Sequence, residues 1–336
     1  MKTYGTDAIL DILTIGAGPS ALVTLQAAKE AGLPAVAIDK GPVCGALMEH
    51  PTYMRWFSTA DKLELPGLPL VSVEKSPTRR EYLKYCQAYV RHHGLSVNTY
   101  RTVTGVEADN GAFRCRAVDL YGREYVWSAR NVVFCTGFYD SPRMLGVPGE
   151  DLPKVTHRYT EPHPYADQDV LVIGAGSSAA EAALELWRYG ANVAVALRSS
   201  RFRTKYWLEP DLENRIAEGS ITAHRNCAVT AITPDAVELQ DLTGERFEIP
   251  NDFVLAMTGY EPDTSLLEQT GAVVDYATGK PVLTSSLETT VPGIYVAGVL
   301  TAGQDSNVVF IENSREHGRI IVDHIRAAER TGAAAP

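Results

Sequence analysis

The chain has few cysteines and no cysteine pair. Cys44, Cys86, Cys115, Cys135 and Cys227 are scattered through 336 residues without a C-x-x-C. This excludes a relay of adjacent thiols, and isolated cysteines of this kind read as core residues of a protein in a reducing compartment. Long apolar runs are also missing. No stretch approaches the roughly 20 residues that a membrane-spanning helix needs. The apolar run near the N-terminus ends in a glycine motif at Gly16, so it is expected to be a first strand rather than a signal peptide. A cytoplasmic location and no membrane partner are expected. Positive charge is in deficit: 31 Lys and Arg against 41 Asp and Glu give 31 − 41 = −10, which disfavours nucleic acid as a partner. Any anionic ligand must therefore be held by a local basic cluster. With 45% hydrophobic and 21% charged residues the composition is that of an ordinary globular protein, long enough for two buried cores.

What the chain does contain is a pair of glycine signatures. Ile15-Gly16-Ala17-Gly18-Pro19-Ser20-Ala21 and Ile173-Gly174-Ala175-Gly176-Ser177-Ser178-Ala179 lie 174 − 16 = 158 residues apart. Each follows an apolar run (Ile12 to Ile15, Val170 to Ile173) and opens an alanine-rich helical segment, the strand-turn-helix context of a dinucleotide site. Gly16, Gly18, Gly174 and Gly176 let the backbone approach a pyrophosphate, whose charge then sits on the free N–H groups and positive dipole end of the helix. One such motif is weak; two in this context mean two dinucleotides. After the first, the strand Ala35 to Ile38 ends at Asp39, 39 − 16 = 23 residues past Gly16, where a carboxylate accepts both hydroxyls of an adenosine ribose. After the second, the strand Asn192 to Leu197 ends at Arg198-Ser199-Ser200-Arg201-Phe202-Arg203. Guanidinium groups there suit a 2′-phosphate, so NADPH is preferred to NADH.

The segments between the motifs also recur in order. Val103 to Arg116 and Tyr121 to Trp127 alternate, with turn signals at Asn110-Gly111 and Tyr121-Gly122, and predict an antiparallel meander. It leads into Asn131 to Cys135 and stops at Thr136-Gly137; Asp252 to Met257 stops likewise at Thr258-Gly259. A polar helix is expected from about Thr78-Arg79-Arg80, and Pro142 to Pro164 reads as a linker. Gly293 to Gly298 predicts one more buried strand, Asn307 to Ile325 a long closing helix starting near Asp305 to Asn307, and Arg326 to Pro336 a frayed tail. The fold expected is α/β, with two Rossmann-like doubly wound domains. The second is inserted into the first: residues 1–145 and 263–336 form one, and residues 146–262 the other.

Pro51-Thr52 with Trp56-Phe57-Ser58-Thr59, Pro77-Thr78-Arg79-Arg80, Gly146-Val147-Pro148-Gly149-Glu150-Asp151, His163-Pro164-Tyr165, Ala256-Met257-Thr258-Gly259-Tyr260 and Phe310-Ile311-Glu312-Asn313 together resemble the bacillithiol disulfide reductases. These belong to the thioredoxin reductase-like flavoproteins, and the resemblance covers nearly the whole chain. It implies FAD in the first domain, with Gly16, Gly18, Pro19, Ser20, Asp39, Lys40, Thr52, Thr136, Gly137, Gly298, Phe310 and Ile311 as its expected site, and the closing helix aimed at the flavin. NADPH is expected at Gly174, Gly176, Ser177, Ser178, Arg198, Ser199, Arg203 and Gly259. Many members of the superfamily carry Asp after the Ala-Gly of the late strand, where this chain has Val299.

The resemblance implies transfer of reducing equivalents from NADPH to FAD and then to a low-molecular-weight disulfide such as bacillithiol disulfide, or to a small redox protein, in a homo-oligomer that is a dimer or larger. The family's candidate cysteine falls at Ser20, which cannot form a mixed disulfide, and no catalytic side chain is assigned. An NADPH-dependent ferredoxin or flavodoxin reductase also needs no cysteines, and a flavin-containing monooxygenase and a flavin-based redox sensor are further alternatives. His157 and His163 bracket the linker; with no ligand spacing around them they read as structural, and no metal is expected.

Overall fold

The computed structural model describes residues 8–305 and 308–331. The chain forms two compact units. The first comprises the chain up to Met48, Tyr53–Ser141 and the chain from Tyr260; the second comprises Glu49–Thr52 and Pro142–Gly259. Thr52 N–H donates to the Thr160 carbonyl at 2.7 Å and Arg158 pairs with Glu49 at 2.8 Å, which ties that short piece to the second unit.

In the first unit, β1 (Leu10–Ile15) is buried along its whole length and runs parallel to β2 (Ala35–Ile38), which runs parallel to β3 (Val97–Asn98). The expected meander is present as β4 (Arg101–Asp109), β5 (Ala112–Asp119) and β6 (Glu124–Phe134). Asn110 and Gly111 both have positive φ, +50° and +77°, the backbone that a tight hairpin turn demands. The strand after the meander is not separate from it: β6 is one continuous strand. Its first half is antiparallel to β5, and its second half is parallel to β1 and to β17 (Ile294–Val296). The late strand thus completes the sheet of the first unit.

Helix α1 (Pro19–Glu30) follows β1, and α3 (Arg79–His93) begins at a capping box between Thr78 and Glu81. Two single-turn helices, α2 (Ala60–Leu63) and α6 (Ser265–Glu268), and a hairpin of β15 (Val274–Asp275) with β16 (Lys280–Pro281) fill in the rest. The closing helix differs from expectation. It is split into α7 (Ile311–Ser314) and α8 (His317–Thr331). The expected start near Asn307 lies outside the described residues, and residues 326–331 of the expected tail are helical, because Ile321, Val322 and Ile325 bury one face of α8 against Ile12, Ala28 and Tyr295.

In the second unit, β8 (Asp169–Ile173), β9 (Asn192–Leu197), β10 (Ile221–Arg225) and β14 (Phe253–Ala256) form a parallel sheet whose fifth strand is β7 (Val155–Thr156), in the order β10-β9-β8-β14-β7. The expected linker therefore contributes a strand, since the Val155 and Thr156 backbone pairs with Val254 and Leu255. Helices α4 (Ser177–Arg188) and α5 (Glu209–Ala217) pack on it, and β11 (Ala228–Ile232), β12 (Ala236–Gln240) and β13 (Arg246–Pro250) form a separate antiparallel meander.

Candidate functional site

In the first unit the turn from β1 to α1 is held tightly against the end of β6. Gly16 has φ +106°, and a Cβ there would lie 2.4 Å from the Cys135 carbonyl oxygen, so only glycine fits. Gly18 caps α1 with no side-chain acceptor, and a Cβ on it would meet nothing within 4 Å. That leaves open space over the bare N–H groups of the first turn, which is what a pyrophosphate needs. Thr136 follows β6 beside this turn, and its Oγ1 is buried without a hydrogen-bond partner, an orphan that a bound polar ligand satisfies. Gly137, at φ +74°, also borders open space.

The Asp39 carboxylate accepts the N–H of Ala17 at 2.6 Å and of Gly41 at 2.7 Å, and burial raises its pKa. Each oxygen keeps a further lone pair for a ribose hydroxyl. Lys40 pairs with Asp140 at 2.9 Å. Ser20 lies beside Gly298, where an added Cβ would come within 2.5 Å of the Ser20 Oγ. The Gly298 N–H donates to His317 Nδ1 at 3.1 Å; His317 stands in no motif and sequence reasoning misses it. Pro19 is the first residue of α1, Phe310 caps α7 and is 44% exposed, and Ile311 is its first residue. Thr52 groups with the second unit.

The second unit repeats the turn. Gly174 has φ +145° and a Cβ there would lie 2.4 Å from the Met257 carbonyl; Gly176 caps α4 and faces open space, as does Gly259 at φ +91°. The strand-end loop folds back on the motif: Arg203 N–H donates to the Ala175 carbonyl at 2.6 Å, and Lys205 N–H to Ser177 Oγ at 3.2 Å. Phe202 is buried and anchors the loop, while Arg198, Arg201, Arg203, Lys205 and Ser178 are exposed and Ser199 is partly so. Lys205 stands in none of the motifs; the fold makes it a neighbour of the helix start. The donor sets of both units fit dinucleotides.

Residues 13–298 match the family model described as pyridine nucleotide-disulphide oxidoreductase. The chain belongs to that family. It is similar to the bacilliredoxin reductase Bdr of Bacillus subtilis (strain 168), at 37% identity over 322 residues, 94% of this chain and 98% of that one. The structure of bacillithiol disulfide reductase Bdr (YpdA) from Bacillus cereus superposes with a TM-score of 0.93 at 36% identity, covering 95% of this chain and 99% of that one. A thioredoxin reductase of T. acidophilum shares the fold, with a TM-score of 0.73 at 22% identity over 96% of this chain and 99% of that one. As a member of the pyridine nucleotide-disulphide oxidoreductases, the chain is a flavoprotein oxidoreductase of thioredoxin reductase-like fold that uses FAD and NAD(P)H. The ferredoxin reductase and sensor alternatives are not favoured.

For a pyridine nucleotide-disulphide oxidoreductase the thiols are unusual. All five cysteines are free. The Cys44 thiol, hydrogen-bonded to the Cys86 thiol and buried, is pushed well up; burial pushes Cys115 up to about 12 and raises Cys135 and Cys227. A raised pKa removes the nucleophilic form. His157 Nε2 lies 3.2 Å from the buried Glu150 carboxylate, a neighbour that sequence spacing does not reveal. Glu150 also accepts the N–H groups of Leu145 and Gly146 at 2.5 and 2.8 Å, so the pair braces a loop. Among the described residues no group of three or more His, Cys, Asp and Glu side chains is placed to hold a metal. No helix of the described residues is long and apolar enough to cross a membrane.

Proposed function

We propose that this chain is an NADPH-dependent reductase of a disulfide, with bacillithiol disulfide, free or mixed with a bacilliredoxin-like protein, as the acceptor. The balanced reaction is NADPH + H⁺ + RSSR → NADP⁺ + 2 RSH. FAD supplies the step that converts a two-electron donor into a reductant of sulfur. The chain's own residues hold and orient. Gly16, Gly18, Pro19 and Ser20 at the start of α1, Asp39, and the Thr136-Gly137 turn form the flavin cradle; Gly174, Gly176, Ser177, Ser178 and Gly259 form that of the coenzyme. Arg198, Ser199 and Arg203 select the 2′-phosphate. The observation that carries this reading is the repeated glycine turn with opposite charge at the two strand ends, Asp39 in one unit and the arginines in the other, in a chain 37% identical to a bacilliredoxin reductase.

With Ser20 at the position of the family's candidate cysteine and every thiol raised or buried, the acceptor disulfide meets the reduced cofactor without a protein thiol in between. The reductase is proposed to be cytoplasmic and a dimer or larger. The test is stopped-flow oxidation of the NADPH-reduced protein by bacillithiol disulfide, by a bacilliredoxin mixed disulfide, by ferredoxin and by oxygen. Rapid reoxidation by either bacillithiol-containing acceptor is expected. Reoxidation by ferredoxin or oxygen alone overturns the reading.

A further inference from the structure

Three elements of the first unit converge at one turn. β17 ends at Val296, and two residues later the buried Gly298 adopts φ +79°. Ser20, from the first turn of α1, packs on the Gly298 Cα so closely that a Cβ there would fall 2.5 Å from the Ser20 Oγ. α8 starts at the same place: a Cβ on Gly318 would lie 2.5 Å from Thr24 N, so the two helices touch backbone to backbone one residue after His317. Thr24 in turn donates its hydroxyl to the Ser20 carbonyl at 2.7 Å. The crossing delivers His317 to the turn, where its Nδ1 accepts the Gly298 N–H at 3.1 Å. Accepting at Nδ1 requires the neutral ring with its proton on Nε2. Burial lowers the His317 pKa, in the same direction. Residue 299 is Val and offers no polar side chain to this turn.

We infer that His317 is a positioning residue for FAD: its Nδ1 fixes the Gly298 turn against Ser20 and thereby sets the shape of the flavin cradle. The inference rests on the FAD reading of this unit. A buried N–H that loses its acceptor is costly, and here that N–H is part of the cradle wall, so part of the cost appears as weakened cofactor binding. The side-chain geometry supplies a discriminating pair of variants. Asn places an acceptor where Nδ1 sits, whereas Gln places one near Nε2, away from the Gly298 N–H.

The experiment compares wild type, His317→Asn and His317→Gln by FAD titration of the apoprotein, by the flavin midpoint potential and by the thermal midpoint of the apoprotein. Gln is expected to weaken FAD binding about tenfold and to shift the potential. Asn is expected to stay within about threefold of wild type, and the Gln apoprotein to melt a few degrees lower, as one unsatisfied buried donor demands, while staying folded at the titration temperature. Equal FAD affinity in the Gln and Asn variants overturns the inference, as does weakened affinity in Gln with an unchanged flavin midpoint potential. Should the Gln variant not fold, His317→Ala is titrated with and without added imidazole, where rescue of FAD binding supports the inference and its absence overturns it. Failure of the wild-type protein to bind FAD sinks the FAD reading itself and is distinguishable from either result.

Discussion

The two units place the same turn in different surroundings. Gly16 and Gly174 sit equally close to a carbonyl of the neighbouring strand, 2.4 Å from an added Cβ in each case, so the cradle is a property of sheet geometry and the absence of a side chain. The differences lie around it. At the second strand's end the first unit buries the Asp39 carboxylate against its own backbone, while the second leaves Arg198 and Arg203 exposed. Along the helix the offset of 158 aligns Val23 and Ala27 of α1 with Glu181 and Glu185 of α4. α8 covers α1, and Val23 is 2% exposed; α4 keeps its two acids on a partly buried face, where Glu185 accepts the Tyr159 hydroxyl at 2.7 Å. Burial, with Glu185 adding to it, pushes the Glu181 carboxyl up to about 7. In the proposed function the backbone of each turn holds a nucleotide, and the side chains around it select which one.

The largest expected effect breaks one half of that comparison at a time. Gly16→Ala forces a Cβ into the Cys135 carbonyl at positive φ, a cost of at least about 2 kcal/mol, and should give protein without flavin absorbance. Gly174→Ala should leave the protein yellow but unreduced by NADPH. Finding that either change abolishes both properties contradicts the assignment of one nucleotide per unit.

Next in size, replacing Arg198 and Arg203 by Ala should erase most of the preference for NADPH over NADH. The loss is roughly ten- to a hundredfold in flavin-reduction efficiency, from charge-assisted bonds worth about 1.5–3 kcal/mol. Equal use of the two coenzymes by the unaltered protein contradicts the strand-end reading.

Glu181→Gln sharpens the contrast between α1 and α4. The folded pKa is raised above the unfolded value near 4.5, so the stability linked to protonated Glu181 is complete below about pH 4.5 and is lost as pH rises through about 7. The variant should match wild type in thermal midpoint near pH 4 and exceed it above pH 7. The gain is about 1–2 kcal/mol after allowance for partial solvent exposure. A gain of the same size at both pH values means that titration is not its cause.

The smallest effect belongs to the thiols. Replacing all five cysteines by Ser or Ala should leave NADPH-driven flavin reduction intact and turnover of the disulfide largely unchanged. If turnover disappears on removing Cys44 or Cys135 alone, a working thiol exists.

Much of the site was legible because its signals are local. A glycine after a strand, an acid or arginines at the next strand's end, and a Thr-Gly stop each reflect short-range sterics or charge. The helix start at Thr78 and the Asn110-Gly111 hairpin are legible for the same reason. Lys205 against Ser177 and Glu150 against His157 were not, because loops that fold back bring together residues with no fixed spacing. The sequence predicts one closing helix because residues 307–325 hold no proline to stop it, although the helix breaks between Ser314 and His317.

The sequence by itself determined that there are two dinucleotide turns, what charge waits at each strand end, and that no thiol pair is near in the chain. Tertiary structure alone decided that Val155–Thr156 is the fifth strand of the second unit's sheet and that Ile294–Val296 pairs with β6 in the seven-stranded sheet of the first. It also decided that β6 serves meander and sheet at once and that His317 meets Gly298. The physical reason is range. A steric or capping preference acts within a few residues, whereas strand partners and burial depend on which distant segments the whole core brings into contact.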